Sequence, residues 1–235
     1  MKNVLCISLF ITLIGYHYHT QAQTPNSLST EEKNNGWHLL FDGKTFGGLH
    51  KLANAGWEIK QGSLMATPIP HGKQMDIVTE KEFSDFELVF EFSMSQNTNS
   101  GVKYLVRNDF PDQKGMYLGL EYQILDDQHF IYPERGNLRS LGSLYDLIAA
   151  DPKKIAKPFG EWNAARIRVN GSVISHWLNG HKVVEYDRKG STFKALVQES
   201  KYKDLKDFGK AKKGYILFQN EGTPIAFRNI KIRPL

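Results

Sequence analysis

Glu121 and Gln123 stand two residues apart in GLEYQILDDQHF, residues 119–130, where Leu118, Leu120, Tyr122 and Ile124 alternate with Tyr117, Gly119, Glu121 and Gln123. Successive side chains of a β-strand point to opposite faces, so this pattern gives one apolar face and one face bearing a carboxylate and an amide. A carboxylate can serve as a general base, a general acid or a metal ligand, and an amide can orient the hydroxyls of a bound molecule. The plainer reading of Glu121 is an ion pair with an arginine on a neighbouring strand. The run ends in a D-D-x-H cluster, Asp126, Asp127 and His129. Oxygen and imidazole donors at this spacing could bind a divalent metal (calcium, manganese or zinc), with Glu121, Asp127 and His129 as the candidate ligands. Asp-Asp at a strand end also starts turns, because its carboxylates bond nearby backbone amides.

The elements that would hold these residues read as strands. Residues 85–94, DFELVFEFSM, place Phe86, Leu88, Phe90, Phe92 and Met94 opposite Glu87, Glu91 and Ser93. Residues 101–107 set Val102, Tyr104 and Val106 against Lys103, Leu105 and Arg107, and residues 162–170 set Ala165, Ile167 and Val169 against Arg166 and Arg168. Such alternation predicts half-buried antiparallel strands. Asn179-Gly180 and Asn170-Gly171 sit where two-residue hairpin turns belong, and Gln61-Gly62 separates two further strands. The best helix signal is LSTEEKNN, residues 28–35, with a capping-type start. Residues 126–160 and 189–213 lack periodicity and predict long loops near one edge or face. Together these features predict an all-β sandwich of about twelve strands.

The chain has 235 residues, 40% hydrophobic and 23% charged, with net charge +5. The densest basic stretch, KYKDLKDFGKAKK at 201–213, is interrupted by Asp204 and Asp207 and reads as a solvated loop, with no nucleic-acid motif beside it. Residues 1–22 have the layout of a secretory signal peptide: Lys2, an apolar run from Val4 to Ile14 too short to span a bilayer, then polar residues to Ala22. Cys6 would leave with it, so an exported, periplasmic or extracellular protein without disulfides is expected, with no transmembrane segment. Residues 23–34 read as a polar lead-in and residues 35–235 as a single domain.

Nine pieces then follow one another in a familiar order: GWHLLFDGKTFGGL, WEIKQG, FSDFEL, NSGVKYLVR, GLEYQILDD, GSLYDL, GEWN, HWLNG and FRNIKI. Over roughly residues 35–235 the chain resembles the 3-keto-disaccharide hydrolase family, formerly domain of unknown function 1080. The resemblance implies a concanavalin A-like jelly roll of two curved antiparallel sheets, binding ligands on the concave side. It also implies action on an oligosaccharide or glycoside whose C3 hydroxyl has been oxidised to a ketone, supplied by a partner sugar oxidoreductase. No organic cofactor is implied.

A C3 ketone acidifies the C2 hydrogen, so a base there forms an enolate, the C1 substituent leaves, and water adds back; direct hydrolysis is the other route. Under this resemblance Glu121 is the expected base or metal ligand and Gln123 a substrate-binding partner. Arg107 could bind the oxyanion, or instead pair with Glu121 or Glu87. His176 alternates with Ile174 and Leu178 and is a core histidine or a catalytic one. Tyr145 and Asp146, in the long loop, would line the groove. Family members commonly read LQDHG where this chain reads FQNEG, residues 218–222. Gln219 matches as a substrate-binding residue, Asn220 replaces the usual Asp, and Glu221 replaces a His whose catalytic role it could assume. A non-catalytic carbohydrate-binding module of the same fold is the alternative. A retaining glucanase needs two carboxylates about 5–5.5 Å apart, and Gln123 stands where its second acidic residue would be.

Overall fold

The computed structural model describes residues 24–70, 75–110, 115–130 and 134–235; the expected signal peptide with Cys6 lies outside them. Thirteen strands are found among the described residues: β1 (His38–Leu39), β2 (Leu49–Lys51), β3 (Trp57–Lys60), β4 (Ser63–Ala66), β5 (Ile77–Thr79), β6 (Phe86–Met94), β7 (Asn99–Arg107), β8 (Leu118–Leu125), β9 (Trp162–Asn170), β10 (Val173–Leu178), β11 (His181–Asp187), β12 (Tyr215–Phe218) and β13 (Ile225–Pro234). They form two antiparallel sheets. The larger runs β11-β10-β9-β6-β13-β4-β3 with β1 also on β13, and the smaller runs β2-β5-β12-β7-β8. This is the expected all-β jelly roll.

The core lies between the sheets. Phe86, Leu88, Phe90, Phe92 and Met94 of β6 are all buried, as their alternation requires. Phe90 meets Tyr122 of β8 and Phe218 of β12 edge-on, at ring distances of 5.8 and 6.0 Å, joining the two sheets. On the outer face of β6, Glu87 pairs with Arg166 and Arg233, and Glu91 with Arg228. The hairpins follow the turn chemistry. Asn179 and Gly180 have φ of 49° and 84°, and Gln61 and Gly62 have 50° and 71°, the positive pairs a type I′ turn needs.

The lead-in is docked rather than loose. Ser29 makes a full capping box with Glu32 at the start of α1 (Thr30–Asn34). Asn26 and Asn229 exchange hydrogen bonds through backbone N–H and side-chain oxygen in both directions. Lys231 pairs with Glu32 at 2.7 Å.

Two features depart from simple alternation. A bulge between Tyr104 and Arg107, with Leu105 at φ 50°, inverts the second half of β7. Leu105 therefore enters the main core, while Val106 packs on the outer side with Val78 and Leu217. Within 189–213, read as a loop, lies the helix α2 (Ser191–Gln198), which buries Phe193 and Val197. No described helix is long and apolar enough to cross a membrane.

Candidate active site

β7 and β8 pair in a register that sets Lys103 opposite Glu121 and Gly101 opposite Gln123. Lys103, Glu121 and Gln123 therefore share the outer face of the five-stranded sheet, as the alternation around Glu121 and Gln123 predicts. Gln219 enters from the end of β12, where its backbone N–H donates to the Gly101 carbonyl at 3.0 Å. A side chain at Gly101 would place Cβ 2.4 Å from Gln219 Oε1 and 2.6 Å from Glu121 Oε1, so the site needs glycine beneath these two groups.

The free edge of β8 is covered by the loop that follows. Gly142 N–H donates to the Gln123 carbonyl at 2.8 Å, Gln123 N–H to Ser143, and Tyr145 N–H to the Glu121 carbonyl at 3.1 Å. This fixes Tyr145 beside Glu121. The segment after α2 packs beside this loop, and its Tyr202 ring stacks on Phe208 at 3.9 Å. The Lys201 ammonium lies over Tyr145 at 4.4 Å and Tyr202 at 5.2 Å. The resulting cavity of about 440 Å³ is lined by the Lys103–Glu121 pair, Gln123, Gln219, Glu221 and these aromatic walls, with Asn99, Met116, Leu118, Gly119 and Leu205.

Glu121 is 7% exposed. Among the described residues, none donates a hydrogen bond to its carboxylate or closes an ion pair with it. Burial pushes its pKa up from 4.5 to about 7, with Lys103 and Lys201 opposing the rise and Glu221 and Asp76 adding to it. Asp76, just before β5, is likewise raised by burial to about 6, although it accepts the Asn220 N–H at 2.9 Å. Burial against the aromatic walls lowers the Lys201 ammonium, while Glu121 raises it. A buried carboxyl titrating near neutrality beside two lysines is poised to exchange protons with a bound molecule.

The remaining sequence candidates fall in different places. Glu221 reaches the cavity, where its carboxylate accepts from Gln219 Nε2 at 3.3 Å, and Gln123 donates to Asn99 at 3.2 Å. Arg107 does not join them; the bulge turns it away, and it pairs with the exposed Asp109 at 2.7 Å rather than with Glu121 or Glu87. His176 is fully buried in the core. Its Nδ1–H donates to the Gly142 carbonyl at 3.1 Å, so Nε2 accepts from the Tyr104 hydroxyl at 2.8 Å, and burial lowers its pKa to about 4. Asp146 is outside the cavity too, gripped by Arg135 and Arg139 at 2.9 and 2.8 Å, an anchor for the loop that carries Tyr145.

The proposed metal ligands are not brought together. Asp127 pairs with Lys154 at 2.8 Å and accepts the Leu141 N–H, and His129 bonds Asp126 at 2.6 Å, while Glu121 sits in the other cavity. Asp126 accepts the backbone N–H groups of Asn97 and Gln128, as a turn former does. Among the described residues no group of three His, Cys, Asp or Glu side chains could hold a metal ion. Glu121, Asp127 and His129 therefore do not form one donor set.

Lys103, Lys201, Tyr202 and Leu205 are among the pocket residues that went unread in the sequence. Lys103 was signalled by the same alternation that placed Glu121. Lys201, Tyr202 and Leu205 lie in an aperiodic loop with no local signal.

The geometry agrees with what this chain resembles. The family described as "3-keto-alpha-glucoside-1,2-lyase-like domain" matches residues 36–233. A curated relative from Bacteroides thetaiotaomicron, named 3-keto-disaccharide hydrolase, is 31% identical over 251 aligned positions, covering 94% of this chain and 86% of the relative. A solved Parabacteroides distasonis protein, named as a candidate glycosyl hydrolase, is 27% identical with TM-score 0.80, covering 90% of this chain and 100% of that one. The β-glucanase of Bacillus licheniformis shares the fold alone, at 8% identity and TM-score 0.50 over 83% of this chain and 95% of that one. With the family matched across nearly the whole described domain, the chain belongs to the 3-keto-α-glucoside-1,2-lyase-like, or 3-keto-disaccharide hydrolase, family.

Proposed function

We propose that the protein is a carbohydrate-active enzyme that cleaves 3-keto-glycosides in the Glu121 pocket. The observation that carries this reading is the buried, unbonded Glu121 carboxyl with pKa about 7, opposite Lys103 on the neighbouring strand. A module that only bound sugar would have no need of such a group.

The chemistry follows from that pair. The Glu121 carboxylate takes the proton from C2, and the C–H electron pair moves toward C3, placing negative charge on O3. Lys103, with Lys201 at the rim, stabilises that oxyanion. As the ketone re-forms, C1=C2 forms and the C1–O bond breaks; the departing oxygen takes a proton from water. Water then adds across C1=C2, hydroxyl to C1 and hydrogen to C2, giving the free 3-keto-sugar. Gln123, Gln219 and Asn99 are amides suited to hold hydroxyls. The ketone itself requires prior two-electron oxidation of the glycoside at C3, which is the work of a partner oxidoreductase. An exported location, read from the leader-like residues 1–22, places this chemistry outside the cytoplasm.

The test is turnover of a 3-keto-disaccharide and its unoxidised parent in D2O. Cleavage of the keto-sugar alone, deuterium at C2 of the product, and a roughly 10²–10⁴-fold loss in Glu121→Gln are expected. An inert wild type, or a fully active Glu121→Gln, overturns the reading.

A further inference from the structure

The pocket is chemically divided along β8. Strand residues advance about 3.3 Å each, so Leu118 and Gln123 lie roughly 10 Å before and 7 Å after Glu121. Beyond Glu121 the lining is amide and carboxylate. Gln123 donates to Asn99, Gln219 lies level with Gln123 through its bond to Gly101, and Glu221 bonds Gln219. Before Glu121 the chain contributes Leu118, the bare backbone of Gly119 and, just ahead of β8, Met116. Met116 is 37% exposed, so this end opens to solvent with a thioether at its mouth.

Resting on the proposed function, we infer that the polar half holds the 3-keto ring and the apolar half receives an apolar leaving group, an aryl or alkyl aglycone, in preference to a second sugar. The 3-keto ring carries hydroxyls that need partners, and Asn99, Gln123, Gln219 and Glu221 supply them. A second sugar in the other half would meet Met116 and Leu118, which offer its hydroxyls no side-chain hydrogen bonds. An aromatic ring there is matched in polarity, and the polarizable Met116 sulfur suits its edge. These apolar residues also supply no acid, which matters less for a phenol than for a sugar alcohol, because a phenolate leaves without being protonated first. In that case the bonds balance as follows: C2–H breaks to Glu121, C1=C2 forms, C1–O breaks, and the oxygen departs as phenolate to be protonated by water.

The experiment compares kcat/KM for a phenyl 3-keto-glucoside and a 3-keto-disaccharide of the same anomeric configuration, in wild type, Met116→Gln and Leu118→Gln. The phenyl compound should be preferred by roughly tenfold or more, and each variant should lower the phenyl-to-disaccharide ratio by about fivefold or more. A variant that merely folds less well lowers both rates and leaves the ratio fixed, which counts against the inference. Equal or better cleavage of the disaccharide by wild type overturns the inference while leaving the proposed function standing. Failure to cleave either compound removes the proposed function and the inference with it.

Discussion

Lys103 and Glu121 face each other across two adjacent antiparallel strands, on a stretch of sheet where a glycine, Gly101, leaves room above the backbone. The lysine does not ion-pair with the carboxylate, so burial dominates and the Glu121 carboxyl is pushed up to about 7.

That shift has a cost in stability. The folded-state pKa lies above the ordinary value of 4.5, so the unfolded chain ionises first as pH rises. Stability is unaffected by this group below about pH 4.5, falls between about pH 4.5 and 7, and stays lowered above. The full penalty is on the order of 3 kcal/mol. Glu121→Gln should therefore be inactive yet melt higher than wild type at pH 8, with the gap closing by pH 4. Thermal melts at the two pH values check this; a variant less stable at pH 8 contradicts it.

Gly101→Ala should spare the fold and block the site. The added Cβ would collide with the ends of two side chains, Gln219 and Glu121, which can move, at the expense of their positions. A fall in kcat/KM of about 100-fold with little change in melting temperature is expected, since a misplacement of about 1 Å can cost that much. Activity near that of wild type would show that the carboxylate position is unimportant.

His176 should behave as a structural residue. Its folded pKa of about 4 lies below the usual 6.5, so stability from keeping it neutral is whole above pH 6.5 and lost as pH falls toward 4. His176→Leu leaves the Gly142 carbonyl and one side of the Tyr104 hydroxyl without partners. Urea unfolding should register a loss of about 2–4 kcal/mol at pH 7, with activity per folded molecule changed less than about twofold. Loss of turnover in fully folded protein would return His176 to the catalytic candidates.

Asn220 is a latch. Its Nδ2 donates to the carbonyls of Gly56 and Thr67 at 2.6 and 3.0 Å, and its Oδ1 accepts the Gly222 N–H. Asn220→Asp would replace a double donor with a charge facing two carbonyls, next to the buried Asp76. A destabilisation of about 2–4 kcal/mol at pH 7 is expected by chemical denaturation; an unchanged midpoint would mean the turn re-forms around the carboxylate.

Sheet faces were legible in the sequence wherever alternation ran unbroken. Phe86 to Met94 and Leu120 to Ile124 sit as their period of two requires, and the same rule puts Glu121 and Gln123 together. Arg107 was misplaced because a single inserted residue at Leu105 inverts every face after it, and nothing in YLVR advertises the bulge. Leu118 reads as core by the same rule but lines the cavity at the edge of the sheet. Lys201, Tyr202 and Asp76 were invisible because their places depend on tertiary packing, such as the Tyr202–Phe208 stack. Asp146 was read as a wall and proves an anchor, since two arginines 7 and 11 residues away in the chain claim its carboxylate.

The bulge in β7 also works as punctuation. Upstream of it the strand spells a charged outer face, with Lys103 toward the pocket; downstream the frame has shifted, and the same face spells Val106 against Val78 and Leu217. One extra residue thus sets where polar script ends on this sheet. Deleting Leu105 would remove the bulge and leave Val106, then next after the inward Tyr104, on its outer face beside Val78 and Leu217. The site's extent is therefore written in the length of β7 as much as in its letters.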